Sequence, residues 1–99
     1  MIRFAALALA APLFALPALA STTFTAELQT PVEDTTRIAA YNAIWICEDN
    51  ACEAVLNRRT ATVRVCKNVV EEIGPINAFG TAADALTEDE IEECNASLN

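Results

Sequence analysis

Apolar and polar positions along this chain change their period three times, and each change marks an element. Phe4 to Leu16 is apolar throughout except for Pro12. Thr22 to Leu28 then sets Phe24, Ala26 and Leu28 against polar neighbours, the period-2 signal of a half-buried strand. Gln29 to Thr36 carries Pro31 and two acids and reads as a loop. Arg37 to Cys47 is the most β-prone stretch, and its far end is apolar on both faces, which predicts a single strand that is central or covered on each side. Glu48 to Ala51 reads as a four-residue loop, and Cys52 to Leu56 returns as the second arm of a hairpin. From about Thr60 the period becomes helical, with Val63, Cys66, Val69, Val70 and Ile73 on one stripe, although β-branched Val63 and Val65 also allow a strand at its start. Gly74-Pro75 stops that helix.

The last quarter reads as a short strand over Ile76 to Phe79, a turn over Gly80 to Asp84 and a brief return at Ala85-Leu86. Thr87-Glu88-Asp89-Glu90 has the form of a capping box, with three acids placed to suit the helix dipole. The helix it opens carries Ile91, Cys94 and Leu98 on one stripe.

The first twenty residues form a unit apart. Arg3 precedes the apolar run, and Ala18-Leu19-Ala20 offers a small-x-small cleavage site before Ser21, the layout of a secretory signal peptide. A membrane anchor is the rival, but Pro12 and Pro17 interrupt the run, and it falls short of the roughly 20 apolar residues a span needs. The expected domains are therefore a cleaved leader, 1–20, and one small disulfide-stabilised domain, 21–99. The location expected is periplasmic or secreted, with no stable membrane span after cleavage.

Composition sharpens this picture once the leader is set aside. Much of the 54% apolar content belongs to it, and the remaining 79 residues hold five basic side chains against fourteen acids, a formal charge of −9. Histidine is absent. That removes imidazole as a base, acid or metal ligand, and the charge makes nucleic acid an improbable partner.

Four cysteines, Cys47, Cys52, Cys66 and Cys94, read as two disulfides in an oxidising compartment, with three connectivities open. The hairpin register sets Cys47 opposite Cys52, and the two helical stripes turn Cys66 and Cys94 inward, so these pairings are expected. Trp45 shares the face of Cys47 and should pack beside the bridge with Ala54 and Leu56. A core of this size is marginal without such staples.

Three segments together carry a family resemblance: W-x-C-x4-C (Trp45, Cys47, Cys52), C-K-x-V-x4-G-P-I-x-x-F (Cys66, Lys67, Val69, Gly74, Pro75, Ile76, Phe79) and L-x4-I-x-x-C-N-A (Leu86, Ile91, Cys94, Asn95, Ala96). The combination resembles a family of small, secreted, uncharacterised proteins of Gram-negative bacteria, over most of the chain beyond the leader. One departure is Thr81-Ala82-Ala83-Asp84, where the family carries a glycine-rich turn. The resemblance implies secretion and a cysteine-stabilised domain, and brings no activity with it.

Candidate chemistries weigh against plainer readings. Thiol exchange favours two cysteines two residues apart at a helix N-terminus, whereas Cys47 and Cys52 sit on a hairpin among Glu48, Asp49 and Glu53. A four-thiolate zinc site prefers paired knuckles, and Cys66 and Cys94 are isolated. The acidic run Glu88, Asp89, Glu90, Glu92 and Glu93 reads as a solvated helix face rather than a catalytic pair or calcium loop. Trp45 reads as core rather than as a stacking platform. Asn95-Ala96-Ser97 matches a glycosylation sequon that means little in a bacterial chain. Arg58, Arg59, Arg64 and Lys67 form a candidate contact surface for an anion or partner. The favoured alternative is a complement to the surrounding acids, with Lys67 pairing to Glu71.

The expectation is an α+β domain: a small antiparallel, hairpin-based sheet with two helices and two disulfides. No catalytic, cofactor-binding or metal residues, and no cofactor, are expected. Its function is expected to be that of a non-enzymatic binding or structural module of the cell envelope, with an unknown protein or envelope component as partner. The rival is an acidic inhibitor of a basic secreted hydrolase, and a thiol-disulfide oxidoreductase is a third reading.

Overall fold

Alternation lays down the first strand as expected. In the computed structural model, which describes residues 21–99, β1 (Thr22–Leu28) buries Phe24, Ala26 and Leu28 and turns Thr23, Thr25 and Glu27 the other way. The leader expected over 1–20 lies outside the described residues. Four further strands follow, β2 (Thr36–Ala40), β3 (Ala43–Glu48), β4 (Ala51–Leu56) and β5 (Ile76–Gly80), with helices α1 (Val63–Ile73) and α2 (Glu88–Ala96). The strands form one antiparallel sheet in the order β2-β3-β4-β1-β5. The fold is α+β, with α1 against β2, α2 against β5 and the helices against each other.

The stretch from Arg37 to Cys47 is two strands, not one. Tyr41 and Asn42, with φ of 51° and 57°, make a two-residue turn that pairs Ala40 with Ala43. Positive φ at both central residues is the type I′ signature, and its twist matches that of the flanking strands. Tyr-Asn lacks the glycine that normally announces such a turn. The next turn is also shorter than expected, because Glu48 pairs directly with Ala51 around Asp49-Asn50. Within that hairpin Cys47 faces Cys52, and the two are bridged, with Cα atoms 4.0 Å apart. Nor is β3 covered on each side: Trp45 and Cys47 are buried, whereas Ile44 and Ile46 are exposed.

Helix α1 begins at Thr62, whose side chain accepts from the Val65 N–H, and ends where Gly74 takes φ 94° and its N–H reaches the Val70 carbonyl. It buries Val65, Cys66, Val69 and Val70, so the inward stripe includes Val65 and leaves Val63 and Ile73 at the margin. Helix α2 has its capping box, Thr87 Oγ1 accepting from Glu90 N and Glu90 Oε1 from Thr87 N. It buries Ile91 and Cys94. Leu98, expected on the same stripe, lies past the helix end and is exposed, because the chain turns after Ala96. Cys66 and Cys94 are bridged, joining the helices.

One core unites the layers. Phe79 lies between Phe24 and Trp45, with ring centroids 5.8 Å and 6.0 Å away, and Trp45 Nε1 donates to the Ala40 carbonyl at 3.2 Å. The turn over residues 81–84 closes through a hydroxyl. Thr81 Oγ1 accepts from the N–H groups of Ala83 and Asp84, and Thr81 N donates to the Asp84 carbonyl. Gly80 is required beside it, since a Cβ there would lie 2.5 Å from Ala85 Cα.

Asn95, of the sequence triplet Cys-Asn-Ala, clamps α2 to the sheet. Its Oδ1 accepts from Ile76 N at 3.0 Å and its Nδ2 donates to Ile76 O at 2.8 Å. Ile76 is fully buried, so losing the acceptor strands an N–H away from water. Asn95→Ala is expected to lower stability by about 1–3 kcal/mol, read as a lower denaturant midpoint with an unchanged m-value.

Candidate binding surfaces

Because both helices pack on one side of the sheet, the alternation of every strand sends its second set of residues to an uncovered face. Ile44 and Ile46 of β3 and Val55 of β4 are 49%, 46% and 61% exposed there. The strand registers set their surroundings. Ala51 has Glu48 beside it on one neighbouring strand and Glu27 on the other, while Ile46 lies between Arg37 and Glu53, with Thr25 beyond. At a strand spacing of about 4.8 Å, Glu48 and Glu27 stand roughly 10 Å apart across Ala51. The result is an apolar surface with Glu27 and Glu48 at its Asp49-Asn50 end, Glu53 beside Ile46, and Arg37 as its basic group. Glu27 is steadied by Asn50 Nδ2 at 3.3 Å. Sequence reasoning passed over this face because Arg37 to Cys47 read as one strand covered on both sides. The available signal was Ile44 and Ile46 alternating with Trp45 and Cys47, between charged ends.

Among the four clustered basic residues, Lys67 and Arg58 take different partners. Lys67 Nζ lies 3.9 Å from Glu93 Oε2 across the helix pair, in place of the expected partner Glu71, and both side chains are well exposed. Such a pair contributes at most about 1 kcal/mol. Arg59 is exposed in the connection from β4 to α1. Arg58 turns back to the β2–β3 turn, where Nη1 donates to Tyr41 Oη at 2.9 Å and Nε to the Thr60 carbonyl at 3.3 Å. Arg64 lines the same groove as Tyr41 and Arg58.

The remaining candidates fall as follows. All four sulfurs are fully buried and paired, with Cys47–Cys52 crossing the hairpin and Cys66–Cys94 crossing the helices. Trp45 is fully buried in the same core as Cys47, Ala54 and Leu56. The acids of α2 sit in its first turn and on its solvent side, with Glu90 committed to the cap. Asn95 of the sequon is engaged with Ile76. Among the described residues, no helix is long and apolar enough to cross a membrane.

No curated protein and no solved structure matches the chain. A family model does, over residues 4–96, and its description is a family of unknown function, DUF8200. A match over that length of a 99-residue chain establishes membership: the protein belongs to the DUF8200 family of unknown function.

Proposed function

We propose that the protein is an exported, non-enzymatic binding module that docks a cationic partner of the bacterial envelope on the uncovered face of its sheet. The observation that carries this reading is the exposure of Ile44, Ile46 and Val55 on a face bordered by Glu27, Glu48 and Glu53. An apolar centre with a charged margin is how specific interfaces are built, the centre contributing affinity and the margin orientation and encounter rate. A charge of −9 beyond the leader steers a cationic surface toward it. A second copy of the chain is disfavoured, because two chains of the same strong negative charge repel on approach.

Export is supported by the leader pattern of residues 1–20 and by two disulfides suited to an oxidising compartment. The non-enzymatic reading rests on the absence of histidine and on acids that serve a cap and a solvated face. Inhibition of a basic secreted hydrolase is the specific form that the same face and charge favour. Thiol exchange has less support, since an attacking thiolate must reach a sulfur and all four are buried.

Export and stapling have a direct test. Intact-mass spectrometry of the protein from a bacterial host, alkylated without reduction, is expected to give a chain starting at Ser21 with no alkylated cysteine. A chain retaining residues 1–20, or alkylation of any cysteine, would contradict the proposal. Docking is tested by Ile46→Lys, which places a positive charge at the centre of the face and is expected to abolish retention of a cationic partner.

A further inference from the structure

We infer that the groove between the β2–β3 turn and the start of α1 binds a phosphate group. Its lining is Tyr41, Arg58, Thr62, Arg64, Val65 and Asn68, and an adjoining cleft shares Tyr41 and Arg58. Neither contains a carboxylate, in a chain with fourteen of them. Arg58 is half-buried, and no carboxylate pairs with it among the described residues. A guanidinium without a counter-charge is open to an anion, whose charge-assisted hydrogen bonds to it are stronger than neutral ones.

The donors are arranged in advance of any ligand. Arg58 is oriented by its bonds to Tyr41 Oη and to the Thr60 carbonyl, which leave both Nη2 hydrogens unassigned. Since Tyr41 Oη accepts from Arg58, its own hydrogen remains for a ligand. Thr62 and Arg64 line the helix side, where the Thr62 hydroxyl accepts from Val65 N and keeps its own hydrogen to donate. Two arginines and two hydroxyl-bearing residues, one of each from the turn side and one of each from the start of α1, suit an oxyanion with several acceptor oxygens. Tyr41 itself sits at φ 51°, a conformation costly for a bulky residue, and the turn that imposes it delivers the phenol to Arg58. The negative charge of the rest of the protein is screened beyond about 8 Å at physiological ionic strength, so the local donors decide binding.

Titration of the mature protein with inorganic phosphate at fixed ionic strength, followed by NMR at Arg58 Nε–H and the Tyr41 amide, tests this. Saturable shifts are expected, with half-saturation at or below about 1 mM. Arg58→Gln and Tyr41→Phe should each weaken binding, the former at least ~10-fold. Lys67→Gln, outside the groove, should leave it unchanged. Binding to inorganic phosphate alone identifies a soluble ligand, whereas added binding to phosphatidic acid vesicles, equally sensitive to Arg58→Gln, identifies a lipid phosphate. Shifts that never saturate, that acetate reproduces, or that survive in Arg58→Gln with native Trp45 fluorescence overturn the inference.

Discussion

Replacing Trp45 by alanine is expected to remove about 3–5 kcal/mol of stability, the largest loss from any single side chain, and to lower the melting temperature by on the order of 20 °C. Trp45 is fully buried, is the largest residue of the core, and lies against Phe79 on the strand that carries Cys47. Three effects contribute, and magnitude ranks them. Lost burial with its cavity accounts for most of the loss, the aromatic contact for about 0.5–1.5 kcal/mol and the hydrogen bond to Ala40 for about 1 kcal/mol. Trp45→Phe keeps much of the first two and should cost less than half as much. Equal losses in the two variants, measured by thermal unfolding, would show that the hydrogen bond and not burial dominates.

The second large effect is expected from the helix-to-helix bridge. Cys66–Cys94 closes a separation of 28 residues and Cys47–Cys52 one of 5. Loop-closure entropy assigns them about 3.5 and about 2 kcal/mol. Total stability for a domain of this size lies near the lower end of the usual 5–15 kcal/mol, so losing the longer bridge takes a large part of it. Cys66→Ala/Cys94→Ala should therefore melt well below Cys47→Ala/Cys52→Ala. Its m-value should also rise, because the unlinked unfolded chain exposes more surface. The reverse order of melting would mean that the hairpin bridge carries native-state packing that chain entropy leaves out.

Much of this architecture was legible in the residues themselves. The alternation of β1, the Gly74-Pro75 stop, the Thr87-Glu90 box and the inward positions of Cys66 and Cys94 are local signals, and each appears in the structure where local physics puts it. What escaped is what local signals do not carry. The Tyr41-Asn42 turn has neither glycine nor proline, and it hides inside a continuous β-prone run. Missing that turn merged β2 with β3 and concealed the exposed side of Ile44 and Ile46. Lys67 pairs with Glu93 rather than Glu71 because α2 is docked against α1 by a bridge 28 residues long, a tertiary fact. In the basic cluster, the turn recruits Arg58 while α1 directs Lys67 to the other helix, partners that sequence proximity does not specify.

Docking on the uncovered sheet face is read out by retention from an envelope extract. The mature protein, immobilised in parallel with Ile46→Lys and with Lys67→Gln as a surface control, is exposed to a bacterial envelope extract at low and at moderate salt. The predicted result is a basic protein retained equally by wild type and Lys67→Gln, released as salt rises, and absent from Ile46→Lys even though that variant keeps its native Trp45 fluorescence. Retention of the same protein by Ile46→Lys, or retention indifferent to salt, would contradict the claim.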